Sequence, residues 1–69
     1  MNYFERNNFT KTEDEDVITY TRGTKVVWKF EFEKASSLLR TTRNNVPMWV
    51  GGETLEGIRE VMEELGWLK

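Results

Sequence analysis

Lys25-Val26-Val27-Trp28-Lys29-Phe30-Glu31-Phe32-Glu33 is the stretch that decides how this chain folds. Val26, Trp28, Phe30 and Phe32 take every second position, and Lys25, Val27, Lys29, Glu31 and Glu33 fill the others. Side chains of an extended chain point alternately to opposite faces, so the pattern predicts a strand over 25–33 with one apolar and one charged face. Upstream, Asp16 to Tyr20 carries the β-branched and aromatic residues of a partner strand, and Thr21-Arg22-Gly23 fits a three-residue hairpin loop with glycine in the left-handed position. That loop sets Tyr20 opposite Thr24 and Ile18 opposite Val26. It gathers Ile18, Tyr20, Val26, Trp28 and Phe30 on one face, where a two-residue turn would bring Val17, Thr19 and Thr21 instead.

Outward from this hairpin, Ser37 to Thr42 and Val46 to Val50 read as further strands around Arg43-Asn44-Asn45, since asparagine tolerates positive φ. Pro47 lacks an amide hydrogen and belongs on an edge. A short helical turn over Ala35 to Arg40 is the alternative. Tyr3 to Asn7 reads as a turn of helix ended by Asn8, after which Phe9-Thr10-Lys11-Thr12 starts a first strand.

At the other end, Leu55, Ile58, Val61, Met62 and Leu65 recur at helical spacing against Glu56, Glu60, Glu63 and Glu64, which predicts an amphipathic helix over Glu53–Leu65. Thr54 is the expected N-cap, Gly66 the left-handed residue that closes the helix, and Trp67 should fold back on Met62. Glu63 and Glu64 oppose the helix dipole. The expected fold is α+β, an antiparallel meander of about four strands with the C-terminal helix on its apolar face and a short N-terminal helix, in one domain over 1–69. Its expected core is Ile18, Tyr20, Val26, Trp28, Phe30, Leu39, Leu55, Ile58, Met62 and Leu65.

Sixty-nine residues supply one small core, and nine aromatics make it an aromatic one. The chain has no cysteine and no histidine, which removes disulfides, the usual zinc and copper ligands and the usual proton shuttle near neutral pH. No cofactor or metal is therefore expected. Ser36-Ser37 has no imidazole to take a proton, and the helix glutamates lie on a solvated face where no apolar pocket separates their pKa values. Gly51-Gly52 lacks the lysine and glycine spacing of a phosphate loop, and Glu13-Asp14-Glu15-Asp16 lacks the alternation of a calcium loop and reads as a solvated connection. Without a signal-peptide run or a membrane-length apolar segment, a soluble, cytoplasmic protein is expected. A single alanine among many Asn, Thr, Lys and Glu has the look of a phage or mobile-element reading frame.

Charge is unevenly spread. Residues 1–21 hold two basic and five acidic side chains, net −3; residues 22–43 six and two, net +4; residues 44–69 two and five, net −3. Arg22, Lys25, Lys29, Arg40 and Arg43 are the candidate contacts for single-stranded nucleic acid, because basic residues among aromatics can track phosphates and stack bases. A meander followed by a helix also resembles, in element order over the C-terminal two thirds, the whirly-type and coactivator-type single-stranded DNA binders. Against this, Glu31 and Glu33 share the face of Lys29, and the lysines would equally well solvate a strand across from glutamates. The leading expectation is a non-catalytic protein-binding or regulatory factor. Its candidate contacts are Met48, Trp49 and Trp67, types enriched at interface centres, with a basic partner for the acidic helix or self-association through an edge strand as further routes.

Overall fold

A computed structural model describes residues 1–68. The chain forms α1 (Tyr3–Arg6), β1 (Thr10–Glu13), β2 (Val17–Arg22), β3 (Trp28–Glu33), β4 (Leu38–Arg43), β5 (Val46–Pro47) and α2 (Gly52–Glu64). The strands make one antiparallel sheet in the order β1-β2-β3-β4-β5. This is the expected α+β meander, with five strands. β5 is shorter than Val46–Val50, and 34–37 form a turn and not the alternative helix.

Alternation sends Ile18, Tyr20, Phe30 and Phe32 to one side of the sheet, where they close on Phe4 of α1 and on Ile58 and Val61 of α2. Both helices contribute to the core on this side. The opposite side carries Val17, Thr19, Thr21, Lys29, Glu31 and Glu33.

The hairpin register differs from the expected one. Ile18 lies opposite Phe32, Tyr20 opposite Phe30 and Arg22 opposite Trp28, so β2 runs on through Arg22 and residues 23–27 form the loop. The offset is an even number of residues, which is why the same side chains still share a face. With Tyr20 opposite Thr24, Phe30 would have met Asp14 and Phe32 would have met Thr12. The observed pairing gives both rings apolar partners, each worth about 1.5–3 kcal/mol on burial, whereas doubling a loop's length costs only about 0.6 kcal/mol. As a result Val26 and Trp28 leave the predicted core.

Helix α2 closes largely as expected. Gly66 has φ +74°, its N–H donates to the Glu63 carbonyl at 3.1 Å, and the Trp67 N–H donates to the Met62 carbonyl at 2.9 Å. Its start is corrected: Gly51 is the N-cap, without a side-chain cap, and the Thr54 hydroxyl lies 3.2 Å from the Tyr3 hydroxyl. Leu55 is 56% exposed and not core, because the helix turns Gly57, Ile58 and Val61 inward. The acidic face has partners that sequence reading did not supply, two of them cationic. Arg6 of α1 meets Glu60 at 2.9 Å, Arg59 meets Glu63 at 3.3 Å, and the Asn2 amide donates to Glu64 at 3.4 Å.

Asn2 fastens α1. Its Oδ1 accepts from the Glu5 N–H at 3.1 Å while the Glu5 carboxylate accepts from the Asn2 N–H at 3.2 Å, a reciprocal capping box. Its buried Nδ2 donates to the Tyr20 hydroxyl at 2.9 Å. Burial, above all, pushes the Tyr20 phenol pKa above its ordinary value.

The acidic connection is exposed, as expected of a solvated run, and two of its carboxylates are engaged. Glu13 pairs with Lys34 at 2.7 Å, and this hydrogen bond and charge hold its carboxyl below the usual range. Asp14 accepts from the Val17 and Asp16 N–H groups, each at 2.8 Å, and those bonds lower its pKa. Both groups are depressed relative to ordinary values of 4.5 and 3.8, so what they contribute is complete above those values and is lost as pH falls through the lowered ones. The double variant Glu13→Gln/Asp14→Asn, which keeps acceptor oxygens but removes both charges, should flatten the decline of urea-unfolding midpoint between about pH 5 and pH 2. An unchanged slope would show that the acid sensitivity lies elsewhere.

Candidate functional site

At the end of the sheet where β2 finishes and β3 begins, one cross-strand row reads Arg22, Trp28, Arg43, Val46 on β2, β3, β4 and β5. Residues paired directly across antiparallel strands point to the same face, so Trp28 stands between Arg22 and Arg43 in the row. This is the core-facing side of the sheet, but the row lies beyond the reach of Phe4, Ile58 and Val61. Trp28 remains 36% exposed.

The segment between β5 and α2 returns over this end. The Met48 N–H donates to the Thr41 carbonyl at 3.2 Å, and the Thr41 hydroxyl donates to the Met48 carbonyl at 3.1 Å. Met48 is thereby pinned half-buried, and the next residue is thrown outward: Trp49 is 99% exposed. A shallow cleft runs between Trp28 and Trp49, with Met48 in its wall and Tyr3, Phe9 and Arg22 on one flank. On the other flank Trp28 and Trp49 continue into Arg43 and Val46.

Two local features fix the surroundings. The Arg22 guanidinium lies 5.8 Å from the centre of the Phe9 ring, within cation–π range. The 23–27 loop is tied to the β4–β5 turn by the Val27 N–H donating to Asn44 Oδ1 at 2.8 Å and the Asn44 N–H donating to the Val27 carbonyl at 2.9 Å. Asn44 and Asn45 hold the positive φ values of 50° and 63° that a tight two-residue turn requires.

Of the candidate protein contacts, Met48 and Trp49 share this cleft. Trp67 does not: it packs at 6.0 Å from the Phe32 ring and lines a separate groove with Leu55, Met62 and Leu68. The candidate nucleic-acid contacts are divided. Arg22 and Arg43 belong to the Trp28 row, Lys25 is exposed in the 23–27 loop, and Lys29 and Arg40 project from the other side of the sheet, where Arg40 lies opposite Glu31. Tyr3 and Phe9 were not anticipated, because nothing local in the sequence brings the N-terminal segment to the end of a hairpin. The alternation of Trp28 with Phe30 and Phe32 located its face but not its distance from the core.

Among the described residues, no group of three or more acidic, histidine or cysteine side chains could hold a metal ion, and no helix is long and apolar enough to cross a membrane. No family model matches the chain, and no curated protein or solved structure matches it either.

Proposed function

We propose that this protein is a small, non-catalytic binding factor that docks on a protein partner through the surface of Trp28, Met48 and Trp49. The observation that carries the reading is the near-complete exposure of Trp49 beside a partly exposed second tryptophan. Covering a large apolar side chain is worth about 1.5–3 kcal/mol, and tryptophan and arginine dominate the energetic centres of protein interfaces. The chain's lack of histidine and cysteine supports binding over catalysis.

Trp49→Ala tests this directly, since a side chain that touches so little of its own fold can be removed with a thermal midpoint change within about 0.5 kcal/mol equivalent. Affinity capture from the native host with both forms in parallel should recover a partner that the variant loses, with binding weakened about tenfold or more. Equal recovery by both forms would remove the surface from the interface.

A second reading is kept for one observation. The Arg22–Trp28–Arg43 row sets an aromatic residue between two basic ones, a composition that also suits single-stranded nucleic acid. Salt-sensitive micromolar binding of a labelled oligonucleotide, reduced by Arg43→Gln, would favour it.

A further inference from the structure

We propose that the Trp28–Trp49 surface takes an acidic segment of a protein, with carboxylates on Arg22 and Arg43 and an apolar side chain between them on Trp28. The inference rests on the protein-binding reading above and names the chemistry of the partner. Its basis is charge complementarity. The residues lining both flanks of the cleft include Arg22 and Arg43 and no carboxylate, in a chain whose acidic residues outnumber its basic ones by twelve to ten. Among the described residues the salt bridges engage Arg6, Lys11, Lys34 and Arg59, and leave both of these arginines without an acidic partner. Guanidinium groups bind carboxylates in a two-pronged geometry, and Arg22 is already steadied by Phe9.

The spacing suggests the sequence of the ligand. Arg22 and Arg43 stand on strands either side of β3, so their backbones are about 10 Å apart, two strand spacings. An extended peptide lying across the strands presents every second side chain to the surface, at intervals of about 6.8 Å. An acidic–x–apolar–x–acidic segment therefore offers acid, apolar and acid groups in the order Arg22, Trp28, Arg43, with the long arginine side chains splaying outward to meet the wider spacing. Nucleic acid is disfavoured by the same geometry: Lys29 and Arg40 lie on the opposite side of the sheet, so of the remaining candidate cations only Lys25, in the adjoining loop, extends the basic charge of the row.

The test titrates the full chain, by tryptophan fluorescence, with a synthetic peptide containing Glu-Ser-Leu-Ser-Glu and with its Gln-Ser-Leu-Ser-Gln counterpart. Saturable binding with Kd below about 1 mM is expected for the acidic peptide alone. It should weaken about three- to tenfold with Arg22→Gln or Arg43→Gln, fall on raising salt, and stay within about twofold with Lys29→Gln on the other face. The charge-reversed double variant Arg22→Glu/Arg43→Glu should prefer a Lys-Ser-Leu-Ser-Lys peptide, a gain that simple misfolding would not produce. Equal binding of the neutral peptide, no saturable binding, or tighter binding of an oligothymidine than of the acidic peptide would each overturn the inference. If the acidic peptide fails while Trp49-dependent capture of a protein persists, only the acidic character of the partner is refuted.

Discussion

Phe4→Ala is expected to leave the chain largely unfolded at room temperature. Phe4 is fully buried and is the centre of the aromatic core: its ring stacks on Tyr20 at 4.8 Å and 17°, lies 4.8 Å from Phe30, and meets Phe9 and Phe32 edge-on at 5.2 and 6.1 Å. Truncating a buried phenylalanine costs about 3–5 kcal/mol, because the transfer free energy is lost and the cavity left behind is only partly refilled. At roughly 0.05–0.15 kcal/mol per residue, the whole fold is worth about 3–10 kcal/mol. The substitution removes much or all of that. A broad, collapsed amide spectrum and a urea midpoint at or near zero are the expected readouts, with Phe9→Ala, half-buried at the rim, costing distinctly less. A loss below about 1 kcal/mol for Phe4→Ala would show that α1 does not plug the sheet.

The importance of Phe4 could not be read from its neighbours. Four residues of helix carry no periodicity, and apart from Phe9 the rings named above that pack on Phe4, those of Tyr20, Phe30 and Phe32, lie far away in the chain. One local signal was present and unused: Asn2 and Glu5 stand at the spacing of a capping box, which marks a helix start at Tyr3. By contrast, α2 and the sheet face were legible because their periods, every three to four residues and every second residue, are imposed by backbone geometry alone. The register of β2 on β3 was not. Turn chemistry around Gly23 favoured a short loop, and the structure instead pairs the largest side chains and lengthens the loop, a choice made by tertiary packing. Gly23 still takes its left-handed role at φ +103°, within a longer connection.

The same register decides the candidate site. With Trp28 opposite Arg22 and Arg43, the indole becomes the middle of a charged row at the sheet's open end; the shorter loop would have carried it inward. Sequence reading named both arginines and Trp49, but grouped them with residues that alternation sends elsewhere. Lys29 and Arg40 follow the opposite parity, and Trp67 is drawn to Phe32 by the helix closure at Gly66. A charge count along the chain cannot see which side of a strand each charge occupies, and that is what separates a binding row from a solvated face.

Gly57→Ala should destabilise the protein, although alanine is the better helix former by about 0.8–1 kcal/mol. A Cβ at position 57 would collide with Cδ2 and Cγ of Tyr3 and lie 2.6 Å from its Cβ. Those atoms are at the root of the tyrosine, so rotating the ring cannot clear them, and α1 itself has to move. Its movement is resisted by the Tyr3–Thr54 contact at 3.2 Å, by Asn2 on Tyr20 at 2.9 Å, and by Phe4 in the core. Overpacking of this kind costs about 1–3 kcal/mol, enough to outweigh the gain in propensity. A double-mutant cycle isolates the cause: in a Tyr3→Gly background both the obstructing ring and its Cβ are gone, and Gly57→Ala should become neutral or stabilising. The coupling energy should then reach about 1–3 kcal/mol by urea unfolding. Stabilisation by Gly57→Ala in the otherwise unaltered protein would mean that α1 does not cross α2 at this glycine, and the placement of Tyr3 beside the Trp28–Trp49 cleft would fall with it.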